Sequence, residues 1–172
     1  GSNPCTVVSI DASHIECISP AQNSNPSTSI INIVSNNITY PSTLSIQYSS
    51  SITPTILSIS PTSGSASQSL TISGSNFITG QSNVSIGGVS ATIVSVTSSS
   101  ITCTIPSIPA GNHPVIVQVS SIGISNSNIQ FTYSLQLTNV TPNQGSYGGG
   151  QIITIIGDGL SQSTVAVTIC NQ

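Results

Sequence analysis

The chain has 172 residues with no Lys or Arg, three acids and two His, so 2% of it is charged, where about a quarter is usual for a soluble domain. Phosphate backbones and anionic lipid surfaces are both gripped through Lys and Arg, so neither nucleic acid nor a charged membrane surface is an expected partner. Hydrophobic residues make up 36% and come in short runs, none near the roughly 20 apolar residues of a spanning helix, so no membrane insertion is expected either.

Gly1 is followed by no basic n-region and no signal-like apolar block, and there is no initiator Met, so we expect a stretch of something longer. Ser (37) and Thr (19) form about a third of the residues. Such bias can accompany disorder, but a disordered chain is poor in Ile and Val and rich in net charge. Here Ile and Val abound and the mean hydropathy is +0.30, so a folded chain is expected.

Apolar and polar residues alternate along Ile56-Leu57-Ser58-Ile59-Ser60, Leu70-Thr71-Ile72-Ser73, Val84-Ser85-Ile86 and Val115-Ile116-Val117-Gln118-Val119. A period of two predicts half-buried strands. Between them Pro61-Thr62-Ser63-Gly64, Gly74-Ser75-Asn76, Gly87-Gly88 and Pro109-Ala110-Gly111-Asn112 supply turn backbones, with His113 read as a further turn residue. Good helix formers are scarce and no stretch holds a 3.6-residue period, which predicts an all-β chain. Strands at this spacing make a sandwich or a barrel.

The chain repeats itself. Cys5-Thr-Val-Val-Ser-Ile-Asp-Ala-Ser-His-Ile-Glu-Cys17 aligns without a gap on Ala91-Thr-Ile-Val-Ser-Val-Thr-Ser-Ser-Ser-Ile-Thr-Cys103, and Leu44–Tyr48 aligns on Ile129–Tyr133. In the other half, Ile56–Gly64 matches Leu137–Gly145, and Leu70-Thr-Ile-Ser-Gly74-Ser-Asn-Phe77 matches Ile153-Thr-Ile-Ile-Gly157-Asp-Gly-Leu160.

The ordered motifs P-x-I-x-S-I-x-P-x-S-G, L-T-I-x-G-x-N-F, V-x-I-G-G, I-T-C-x-I-P and F-x-Y, complete over residues 53–133, resemble the IPT/TIG domain. That resemblance implies an immunoglobulin-like β-sandwich, as found in plexin-type receptors and other surface proteins. Set against it, residues 1–48 are the C-terminal half of a domain, 49–52 a linker, 53–133 a complete domain and 134–172 the N-terminal half of another. Each half offers one apolar face and no partner sheet. Joining Val165–Gln172 to Gly1–Val8 rebuilds the missing stretch, so the expected partner is a copy of the same chain placed head to tail. The copies are either covalently continuous in a polyprotein or separate subunits that donate strands; a contact that does not close into a ring grows a filament.

Four cysteines suit an oxidising, extracellular setting, with more than one pairing open. Extracellular members of the family often pair a Cys at the position of Ala91 with the Cys of the I-T-C strand; here the resemblance implies a Cys5–Cys17 bridge and leaves Cys103 unpaired. Cys170 falls near Cys5 once the ends are joined, so a Cys5–Cys170 bond between copies stands as the alternative. Sequons at Asn37, Asn83 and Asn139 and the hydroxyl tract Ser49, Ser50, Ser51, Thr53 and Thr55 are candidate glycan acceptors. Covalent glycans would keep an almost uncharged surface in water.

Catalytic material is thin. The acids are Asp11, Glu16 and Asp158 and the histidines His14 and His113. Asp11, His14 and Glu16 share one hairpin, with His14 and Glu16 expected on one strand face; their counterparts Thr97, Ser100 and Thr102 mark them as surface decoration. His14 and Cys17 alone have ligand-like spacing, so no metal or other cofactor is expected. Gly148-Gly149-Gly150 lies between strands without a Lys, unlike a phosphate loop. Tyr48, Phe77, Phe131 and Tyr133 take core repeat positions, which leaves Tyr40 and Tyr147 exposed.

These features favour a non-enzymatic structural repeat of an extracellular, glycosylated fibre or stalk. An adhesin or receptor ectodomain binding a protein or glycan is the alternative, and an accessory domain of a carbohydrate-active enzyme a third possibility.

Overall fold

The computed structural model describes residues 3–22, 27–125, 128–161 and 166–169, and no described residue is helical. Two compact units divide the chain, Gly1–Ser51 and Ile52–Gln172. In the first, β1 (Thr6–Ile10), β2 (Ile15–Ile18), β3 (Ser27–Ile30), β4 (Ile33–Ser35), β5 (Ile38–Tyr40) and β6 (Ser45–Tyr48) form three antiparallel pairs, β1–β2, β3–β6 and β4–β5.

The second unit begins with a complete sandwich: β7 (Thr55–Ser60), β8 (Ser63–Gly64), β9 (Ser69–Ser75), β10 (Ser82–Ile86), β11 (Val89–Ser90), β12 (Thr92–Val96), β13 (Ser100–Thr104), β14 (Gly111–Val119), β15 (Gly123–Ile124) and β16 (Gln130–Tyr133). One sheet runs β12-β13-β9-β7; the other runs β11-β10-β14-β16-β8, with β15 on β14. All pairs are antiparallel except β16–β8, where Thr132 faces Ser63 and Tyr133 faces Gly64. A last hairpin, β17 (Gln136–Thr141) and β18 (Thr154–Asp158), follows.

The period of two sets which side chains meet between the sheets. Val84 and Ile86 of β10, Ile101 and Cys103 of β13, and Val115, Val117 and Val119 of β14 are buried together with Phe131 and Tyr133. The Ser and Thr residues between them point outward, a position Thr in particular suits on a pleated surface. Every buried apolar side chain of the described residues lies between Pro54 and Tyr133, and the core holds no buried polar residue. His113 is not a turn residue: it belongs to β14, opposite Phe131, because that strand begins at Gly111 and the ring nitrogen Nε2 reaches the Pro109 carbonyl at 2.6 Å.

The repeat extends to the hydrogen-bond ladder. Both β7–β9 and β17–β18 are interrupted after their second pair, between Ile56 and Ser58 and between Leu137 and Asn139. Likewise β12–β13 and β1–β2 shift register between Ile93 and Ser95 and between Val7 and Ser9. At the first kind of bulge the backbones approach so closely that only glycine fits. A Cβ on Gly74 would sit 1.9 Å from the Thr55 carbonyl oxygen, and one on Gly157 2.3 Å from that of Gln136. Gly74→Ala must push a backbone group aside and should lower the stability of the sandwich by about 2 kcal/mol, read as a lower denaturation midpoint at unchanged slope.

Candidate functional site

The two flanking hairpin sets present apolar faces whose counterparts in the complete domain are covered. Ile56 is 4% exposed and its repeat counterpart Leu137 60%; Ile59 is 7% and Val140 41%. On the other side Ile101 is fully buried and Ile15 44% exposed, and Phe131 is fully buried while Ile46 is 40% exposed. Leu137, Val140, Ile153, Ile155, Val167 and Ile169 line an open apolar trough of about 870 Å³. In the complete domain the matching face of β7 and β9 is buried in the core it shares with β10, β14 and β16.

Cys5 and Cys17 form a disulfide, with Cα atoms 5.7 Å apart, that pins β1 to β2. Cys170, the rival partner, lies outside the described residues. Cys103 is a free, buried thiol, and burial pushes its pKa up to about 11, so it behaves as a small hydrophobe. All three sequon asparagines are exposed: Asn37 in the β4–β5 turn, Asn83 on β10 and Asn139 at the β17 bulge. Of the hydroxyl tract, Ser50 and Ser51 are exposed and Ser49, Thr53 and Thr55 half-buried. Tyr40 and Tyr147 are exposed, Phe77, Phe131 and Tyr133 buried, and Tyr48 half-buried. Gly148-Gly149-Gly150 sits between β17 and β18, with Gly149 and Gly150 at positive φ.

The acid–histidine hairpin brings Asp11, Ser13 and His14 together without making a relay. Asp11 Oδ1 accepts the backbone N–H groups of Ser13 at 2.7 Å and His14 at 2.8 Å, and these bonds hold its pKa below the usual carboxylate range. Ser13 Oγ lies 2.7 Å from His14 Nδ1, and Asp11 Oδ1 lies 3.5 Å from the same nitrogen. A catalytic triad places its serine and its carboxylate on opposite ring nitrogens. Here both crowd one, on an exposed turn. His14 stands in that turn ahead of β2, whereas Glu16 lies on the strand and accepts from Ser9 Oγ at 2.8 Å. In the complete domain Thr97 Oγ1 takes the place of Asp11, accepting from Ser99 N and Ser100 N; the role is to cap a turn.

Asp158 does something different. The only charged side chain from Cys17 onward, it ends β18 and binds back onto the complete domain. Tyr133 donates its phenol to Oδ2 and Ser107 its hydroxyl to Oδ1, while the Ala66 N–H reaches Oδ2 at 3.4 Å. Next to it the Ala110 N–H donates to the Gly159 carbonyl at 2.8 Å, and a Cβ on Gly159, which has φ +83°, would lie 3.2 Å from the Tyr133 ring. The bonds from Ser107 and Tyr133 hold the Asp158 carboxyl below its ordinary range; burial and then the neighbouring carboxylate raise the Tyr133 phenol. The repeat places Tyr133 in the core but does not point to Asp158 as its partner. The available signal was that a stretch otherwise without charge keeps one acid, after the glycine of the L-T-I-x-G motif.

A sandwich of this topology defines an immunoglobulin-like repeat, and the chain belongs to the IPT/TIG domain family, whose model matches residues 54–133 and 135–172. Among its relatives, human fibrocystin-L is 29% identical over 174 residues, covering 100% of this chain and 4% of its own length. Fibrocystin of Canis lupus familiaris is 33% identical over 99% of this chain and 4% of its own; the chain thus spans a small fraction of the curated relatives it matches. Among solved structures, the full extracellular region of plexin A4 covers 89% of this chain and 14% of its own, at 20% identity and a TM-score of 0.44.

The Asp158 junction has a pH signature. Its ionised form takes the hydrogen bonds, so its stabilisation is present above the ordinary carboxylate pKa and is lost as pH falls through the lowered folded value. In Asp158→Asn the Tyr133 phenol should titrate at lower pH than in the parent chain, followed by ultraviolet absorbance, and the Ala66 and Ala110 amides should exchange faster with deuterium.

Proposed function

We propose that this chain is a non-catalytic structural repeat of an extracellular, glycosylated fibre or stalk, in which residues 134–172 of one copy are completed by residues 1–48 of the next. The observation that carries the reading is the exposure of apolar side chains, Leu137, Val140, Ile15 and Ile46 among them, at positions that are buried when the domain is whole. Exposed apolar area of this extent marks an interaction surface. The faces on the two ends are halves of one fold, so each is complementary to the other and neither to itself. That makes the contact heterologous and open-ended. The Cys5–Cys17 bond supports a place outside the reducing cytosol, and exposed sequons on a surface of hydroxyls support glycans as the solubilising coat.

Negative-stain imaging tests the assembly. We expect filaments with an axial repeat of two sandwich domains per copy, and isolated globules would refute the reading. Ile155→Asp, which puts a charge into the trough, should abolish filaments while the 52–133 sandwich keeps its unfolding transition. Intact mass should fall on enzymatic deglycosylation of native material; an unchanged mass would remove glycans from the proposal.

A further inference from the structure

We infer that β2 of the next copy lies antiparallel beside β18, with His14 opposite Ile156, Ile15 opposite Ile155, Glu16 opposite Thr154, Cys17 opposite Ile153 and Ile18 opposite Ile152. This rests on the head-to-tail reading and gives it a register. The complete domain supplies the pattern: β13 runs beside β9 with Ser100 facing Ser73, Ile101 facing Ile72, Thr102 facing Thr71, Cys103 facing Leu70 and Thr104 facing Ser69. The gapless repeat carries β13 onto β2 and β9 onto β18. Each of those two strands has one edge paired, to β1 and to β17, and, among the described residues, the other edge unpaired. Since both hairpins carry their bulge where the complete domain carries its own, the two free edges present N–H and C=O groups in the same phase as β13 and β9. The same mapping lays β6 parallel to residues 144–145, with Gln47 facing Gln144 and Tyr48 facing Gly145, as Thr132 faces Ser63 and Tyr133 faces Gly64.

Three observations agree with this register and disfavour a slip. First, it points Ile15 and Cys17 inward with Ile153 and Ile155, the places held by Ile101, Cys103, Leu70 and Ile72 in the buried core. A slip by one residue would turn Ile15 and Cys17 outward while Ile153 and Ile155 still faced inward. Second, it buries no charge. The counterparts of Asp11, Glu16 and Asp158 are Thr97, Thr102 and Ser75, none of which is buried; an unpaired carboxylate in such a core would be very costly. Third, the Cys5–Cys17 disulfide falls where Ala91 and Cys103 are both buried, so the bond lies within the completed sandwich and does not block the edge of β2. A slip by two keeps the faces but moves the bulges out of phase.

Cysteine cross-linking reads the register directly. Full chains carrying His14→Cys and Ile156→Cys, both outward and exposed positions, are mixed and gently oxidised; we expect covalent dimers, and long covalent chains when one molecule carries both substitutions. His14→Cys with Thr154→Cys, two residues out of register, should bond at least tenfold more slowly. If the slipped pair bonds as fast, or the in-register pair not at all, while the parent chain still forms filaments, the register is wrong and the head-to-tail reading survives. If the parent chain forms no filaments, both fail. Hydrogen exchange on the unsubstituted chain covers variants that do not assemble: the amides of β2 and β18 should become protected on assembly, and unchanged exchange there would overturn the register.

Discussion

A β-sandwich has an interior only where two sheets face each other, and among the described residues that condition is met once. Between Ile56 and Tyr133 the four-stranded sheet carrying Leu70, Ile72, Ile101 and Cys103 meets a second sheet carrying Val84, Ile86, Val115, Val117 and Phe131, and these side chains leave the solvent. The same residue types recur on both sides of the domain in hairpins with the same register shifts. There they stay exposed. Local pairing and turn chemistry are sufficient to form hairpins with the family's bulges, but burial requires the second layer. With apolar transfer worth about 25 cal/mol per Å², covering a full sheet face is the dominant free energy available to this chain beyond its own folding.

The neutral surface follows from the same economy of means. Strand positions that point outward are filled by Ser and Thr, and those that point inward by Ile and Val; Lys, Arg and Glu, which usually occupy exposed strand faces, are all but missing. Unpaired strand edges are commonly protected by charge. Of the three acids in the chain, Glu16 lies on β2 and Asp158 ends β18. The few charges present serve local geometry: Asp11 caps a turn through Ser13 and His14, Glu16 takes a cross-strand hydroxyl, and Asp158 ties the last hairpin to the sandwich.

Much of the architecture is legible in the sequence because the repeat compares the chain with itself. The alternation in Val84-Ser85-Ile86 and Val115–Val119 specified both strands and facing, and the alignment of Cys17 with Cys103 and of Gly157 with Gly74 specified their neighbours. The extent of β14 was not legible: Gly111-Asn112-His113-Pro114 has the composition of a turn, and pairing to β16 overrides it. Nor was the parallel contact of Ser63-Gly64 with β16, since a two-residue strand has no periodicity to read. The Asp158 clasp escaped because it joins residues far apart in sequence, Ala66, Ser107, Tyr133 and Asp158, each ordinary in its own neighbourhood. Side chains that matter only through a tertiary meeting leave little trace in local pattern.

The parallel pairing of β8 with β16 bears on how the domain would carry load. Thr132 N–H donates to the Thr62 carbonyl and Ser134 N–H to that of Gly64, so a segment near the start of the sandwich is bonded to its last strand with both running the same way. Pulling the two ends of the domain apart slides one strand along the other and stretches those bonds together. Antiparallel terminal strands joined at one end would instead peel open one bond at a time. Tension passing from Tyr133 into the following hairpin also meets the Asp158 carboxylate at once, so neighbouring domains share the strain through a hydrogen-bonded joint as well as through the peptide link between them.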